Sequence, residues 1–104
     1  MNTLTTPDYI LENLDTEFPV LAIPKWLFDE QPYKDLSDDA RLVYALLLKS
    51  YYGIGVLRGY AVIGTKLELN NSLATVQCML ACRKRTAKKV VTELADVNLV
   101  SVVN

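Results

Sequence analysis

Between Ser72 and Leu94 the sequence SLATVQCMLACRKRTAKKVVTEL sets two helical patterns in succession, with a short break between them. In the second, from about Lys84 to Leu94, Ala87, Val90, Val91 and Leu94 fall within one stripe about 100° wide, and Lys84, Arg85, Lys88, Lys89 and Thr92 cover the opposite side. The first carries Leu73, Val76, Met79 and Leu80 at the spacing of a helix that packs one side inward, and Ser72 is placed to cap it. Two amphipathic helices separated by Ala81-Cys82-Arg83 predict a helix-turn-helix whose second helix has an apolar face and a cationic one.

A cationic face matters only if the rest of the chain does not cancel it. The formal net charge is -1, yet residues 1–40 hold nine acids against two bases and residues 41–104 hold nine bases against three acids. That asymmetry suits a protein that meets a polyanion with one part of its surface, against the plainer reading of a dipolar but inert surface. Arg83 to Lys89 contains five bases in seven residues, and no acid stands one turn beyond them until Glu93. A helix face that is merely solvated mixes signs.

The remaining elements read as scaffold. Residues 1–17 form a polar N-terminal arm with one apolar patch, Tyr9, Ile10, Leu11 and Leu14, which is expected to mediate self-association as a homodimer. The domain proper spans residues 18–104. Phe18 to Ile23, bounded by Pro19 and Pro24, predicts an edge strand. Pro24 opens a single helical turn that brings Trp26, Leu27 and Phe28 near the core. Ser37, followed by Asp38 and Asp39, caps a helix that runs to about Tyr52 before Gly53 and is apolar on more than one face, as a central packing helix should be. Around Gly64 two β-prone runs predict a small hairpin, with a strand from Lys66 to Leu69 and a looser one before it. Asn98 is expected to end the last helix in the left-handed conformation, and Leu99 to Val103 to form a strand. Strand, helix, helix, strand is the order of a winged helix-turn-helix, so the fold class is mainly α (α+β) with a small β-hairpin or wing.

Other classes of function find little support. The chain is 51% hydrophobic over 104 residues, which suffices for one modest core and leaves scant room for a large enzyme pocket. It has no histidine, nucleophile elbow or phosphate-binding glycine loop, so no enzyme and no cofactor is expected. Cys78 and Cys82, without histidine, make neither a disulfide framework nor a zinc site and are expected as buried free thiols. No apolar run approaches the roughly 20 residues of a membrane span, and the N-terminus lacks the features of a leader, so a cytoplasmic protein is expected.

Specific blocks also look familiar. Ile23-Pro24-Lys25-x-Leu27-Phe28, Tyr33-Lys34-Asp35-Leu36-Ser37-x-Asp39-Ala40 and Leu46-Leu47-Leu48 resemble the N-terminal domain of RepA-type plasmid replication initiators. Cys82-Arg83-Lys84-Arg85-Thr86-Ala87, with Leu94 and Asn98-Leu99, is similar to that family's helix-turn-helix. The resemblance implies a winged-helix domain that binds repeated double-stranded sites in a plasmid origin as a dimer. It also implies that this chain is the DNA-binding part of a longer initiator, with host replication proteins met through a C-terminal part. Arg83 stands where the family pattern has a capping serine or threonine, and Ala81 where a turn glycine is usual.

The expected DNA contacts are Arg85 and Lys88 on bases and Arg83, Lys84 and Lys89 on phosphates, with Thr92 on the same face and Arg58 and Lys66 as further phosphate contacts from the hairpin. A winged-helix transcriptional regulator or a protein-interaction module of a replisome is the alternative.

Overall fold

In the computed structural model, residues 9–13, 20–53 and 62–103 are described. The core forms around helix α2, Asp38–Tyr52. Ser37 holds extended backbone before it and its Oγ accepts from the Ala40 N–H at 3.2 Å, which satisfies one of the donors a helix start leaves unpaired. Asp38 and Asp39 in the first turn and Lys49 in the last complement the helix dipole. Gly53, at φ +53°, ends the helix with its N–H on the Lys49 carbonyl. Ala40, Val43, Tyr44, Ala45, Leu47 and Leu48 are all buried, so α2 is covered on more than one side, as its sequence predicts.

Ahead of α2, strand β1 (Tyr9–Asn13) pairs antiparallel with β2 (Val20–Pro24), in a register that sets Tyr9 opposite Pro24 and Asn13 opposite Val20. Part of the expected arm is therefore a strand, and the expected edge strand is its partner. Pro24 closes β2 instead of opening a helix; the short helix α1 (Trp26–Asp29) begins two residues later. Leu27 is fully buried, Trp26 half-buried and Phe28 exposed. Trp26 meets Tyr33 and Tyr44 edge to face, at 4.9 and 5.7 Å between ring centroids. Arg41 ties this region to α2: its Nε donates to the Leu27 carbonyl at 2.9 Å, a terminal nitrogen donates to the Lys34 carbonyl, and its guanidinium lies over the Phe28 ring.

After α2 come β3 (Leu67–Asn70), α3 (Ser72–Leu80), α4 (Lys84–Asp96) and β4 (Val100–Val103). β3 and β4 pair in parallel, Leu67 opposite Val100 and Asn70 opposite Val103. A parallel pair needs a crossover, and α3 and α4 supply it. Of the hairpin expected around Gly64, the described part, Val62 to Thr65, is a turn closed by the Thr65 N–H on the Val62 carbonyl, and β3 pairs with β4. Tyr60 and Ala61 lie outside the described residues. Tyr44 on α2 donates its hydroxyl to the Thr65 carbonyl, and Tyr51 donates to the Glu68 carbonyl at 2.8 Å, so α2 fixes the entry to β3. Burial pushes the Tyr44 phenol pKa far up, with Tyr52 and Tyr33 adding to the effect.

The whole is a mainly helical α+β domain with elements in winged-helix order. Among the described residues, no helix is long and apolar enough to cross a membrane. Cys78 and Cys82 are free thiols, but Cys78 is exposed and Cys82 half-buried, contrary to the expectation that both are buried. Cys78 falls on the outer side of α3, whose inward side is taken by Val76.

Candidate nucleic-acid interface

The turn between α3 and α4 closes without glycine. Ala81 adopts the left-handed conformation (φ 50°, ψ 47°), and the N–H groups of Ala81 and Cys82 both reach the Gln77 carbonyl. This closes the end of α3 in the manner usually given to glycine, at a cost of about 1 kcal/mol for the added Cβ. The start of α3 also departs from expectation. Asn71, at φ 48°, precedes the helix, while Ser72 is its first residue and is buried.

Beyond the turn, Arg83 takes the extended conformation of a helix cap and its carbonyl accepts the first bond of α4, from the Ala87 N–H at 3.0 Å. Its side chain makes no capping hydrogen bond, and the first turn of α4 contains no acid. Lys84 and Arg85 stand instead where the helix dipole favours anions. Lys84 with Lys88, and Arg85 with Lys89, are like-charge neighbours one turn apart. Each departure costs a few tenths to about 1 kcal/mol, and all concern one helix end. A local conflict confined to one surface marks a place selected for something other than stability, and a bound anion would relieve every part of it.

The apolar side of α4 follows its sequence: Ala87, Val90, Val91 and Leu94 are buried against α2 and α3. Burying each of the larger three contributes about 2 kcal/mol, enough to hold the helix despite its unfavourable start. Arg83, Lys84, Arg85, Lys88, Lys89 and Thr92 are all exposed. The last five line one open depression along the helix, closed at its far end by Asp96. The Thr92 hydroxyl donates to the Lys88 carbonyl at 2.9 Å and keeps its lone pairs for another donor. Asn98, at φ 60°, and the Leu99 N–H on the Leu94 carbonyl end α4 as expected.

Glu93 is the acid that sequence spacing places one turn from Lys89. Its carboxylate turns away, accepting from the Ser37 backbone N–H and the Ser37 hydroxyl at 2.8 Å each. The cap of α2 is thereby locked to α4. Among the described residues the one ion pair is Arg41 with Asp38 at 3.1 Å, so no described acid forms an ion pair with the cations of α4. Sequence reasoning did not find this clamp; the one available signal was that Glu93 sits at the border between the basic and apolar sides.

The other expected contacts stand apart. Lys66 is exposed but immediately precedes Leu67, whose N–H meets the Leu99 carbonyl, so it lies at the C-terminal end of α4, about 18 Å along the helix from Lys84. Arg58 and Leu14 lie outside the described residues. Tyr9, Ile10 and Leu11 are in β1, far in sequence from α4.

Residues 20–104 match the family model described as Replication initiator protein A (RepA) N-terminus. Comparison with curated proteins gives no match, and comparison with solved structures gives none.

Proposed function

The chain belongs to the family of replication initiator protein A N-termini, and from that premise we propose that it binds double-stranded DNA at repeated sites in a plasmid origin through α4. The observation that carries this reading is the start of α4: a helix end without a side-chain cap, crowded with Arg83, Lys84 and Arg85, which pair with no acid among the described residues. Arg85 and Lys88 read base edges in the major groove, where the N-terminal half of a recognition helix lies. Arg83, Lys84 and Lys89 hold phosphates, and Thr92, whose hydroxyl proton is on the Lys88 carbonyl, offers lone pairs on the same face. The domain acts by binding, with no catalytic step of its own. These three phosphate contacts, with a fourth from the basic remainder of the face, give a log-log salt slope of about -3.6. Gel-shift titration against the origin of the encoding plasmid at several salt concentrations tests this; a flat salt response favours a protein-interaction module instead.

Self-association belongs to the same proposal. One helix-turn-helix reads few base pairs, so specific sites take two copies. The acidic first half of the chain, with the β1 segment Tyr9, Ile10, Leu11 and the neighbouring Leu14, is the surface proposed to join them, since two cationic faces repel. Sedimentation with and without DNA checks it: a monomer that fills paired sites without cooperativity removes this part of the proposal.

A further inference from the structure

Lys89 and Glu93 stand one turn apart on α4, the spacing at which opposite charges on a helix pair, with Cβ atoms about 5–6 Å apart. They do not pair. Both Glu93 oxygens are held from the other side, Oε1 by the Ser37 N–H and Oε2 by the Ser37 hydroxyl. Glu93 is half-buried and lines the same depression as Lys89, the two side chains being neighbours on one side of α4. A phosphate and the Glu93 carboxylate compete for the same cation.

Resting on the DNA-binding reading above, we propose that Ser37 is a positioning residue for the interface: by holding Glu93 at the start of α2, it leaves Lys89 available to a DNA phosphate. Ser37 itself caps a different helix, and its side chain is hydrogen-bonded to Glu93 and the Ala40 N–H, not to a cation of α4. Released from Ser37, Glu93 turns to Lys89 and removes one cation from that face. The clamp thus sets the charge the protein presents, in addition to tying two helices together.

The test titrates the 104-residue chain with a mixed-sequence duplex of about 30 base pairs, following anisotropy across a salt series. Ser37→Ala is expected to make the salt slope shallower by about 0.9, the contribution of one phosphate contact. Ser37→Asp keeps a capping oxygen for the Ala40 N–H while repelling Glu93, and is expected to do the same. Glu93→Gln, and the double variant Ser37→Ala/Glu93→Gln, are expected to keep the wild-type slope, because an amide cannot neutralise Lys89. A wild-type slope in Ser37→Ala, or a double variant as shallow as the single one, overturns the proposal. A flat response in the wild-type chain is instead a failure of the DNA-binding reading. In that event NMR correlation of the Lys89 ammonium with the Glu93 carboxylate still decides: contact present in Ser37→Ala and absent in wild type supports the clamp, and identical spectra reject it.

Discussion

The Ser37 hydroxyl and backbone N–H both close on the carboxylate of Glu93, 56 residues later in the chain, at 2.8 Å each. The same hydroxyl oxygen accepts from the Ala40 N–H, so one serine caps α2 and anchors α4. Hydrogen bonds to a charged, half-buried partner contribute more than neutral ones, and Glu93→Ala is expected to cost about 2 kcal/mol. Glu93→Gln, which keeps an acceptor for the Ser37 N–H, is expected to cost about half as much. Urea unfolding followed by circular dichroism measures both; unchanged midpoints would remove the clamp from the account of stability.

Stability and binding should part company at Arg83. Serine there supplies the missing side-chain cap of α4, so Arg83→Ser is expected to stabilise the fold by about 1 kcal/mol. On the proposed DNA-binding reading it also removes one phosphate contact, and it is expected to make the DNA salt slope shallower by about 0.9. Thermal melts and anisotropy on the same preparation check the pair of effects. A variant that loses both stability and affinity shows that Arg83 has a structural role.

Ala81 holds a left-handed backbone that glycine adopts freely. Ala81→Gly is expected to stabilise the chain by up to about 1 kcal/mol, the relief of the Cβ clash outweighing the greater freedom of the unfolded chain. DNA affinity should not change, since Ala81 presents no donor or cation. A lower melting temperature would mean that the turn is not strained.

Tyr44 gives a pH signature. Its hydroxyl serves the Thr65 carbonyl, and Tyr44→Phe is expected to cost about 1 kcal/mol near neutrality. Burial raises the phenol pKa in the folded state above its ordinary value of 10.0, so the folded chain keeps the proton that the unfolded chain releases. The stability linked to that proton is complete below pH 10 and declines as pH rises above it. The gap between wild type and Tyr44→Phe should therefore narrow above about pH 10. Denaturant titrations at neutral and alkaline pH measure this, and a constant gap contradicts it.

Much of the candidate interface was legible because its determinants are local. The two sides of α4 follow from a 3.6-residue period, the Ser37 cap from one hydroxyl before two acids, and the Asn98 exit from a residue that tolerates positive φ. What escaped depends on contacts distant in sequence or on a residue breaking its own preference. The parallel pairing of β3 with β4 joins strands separated by two helices, which no local pattern announces. Glu93 reads as a partner for Lys89 until α2 is packed beside it. Arg41, counted with the basic half of the chain, is spent on Leu27, Lys34 and Phe28. Ala81 in a glycine conformation has no signal in its own residue type, and only the turn glycine usual at that place in the family pattern points to it.

The most direct measurement is the affinity of the double variant Arg85→Ala/Lys88→Ala for origin DNA, with circular dichroism on the same sample. Both side chains are exposed on α4 and away from its buried side, so the fold should persist. The expected result is loss of specific binding with an unaltered spectrum. Wild-type affinity from the folded variant would contradict the assignment of α4 as the DNA-reading helix.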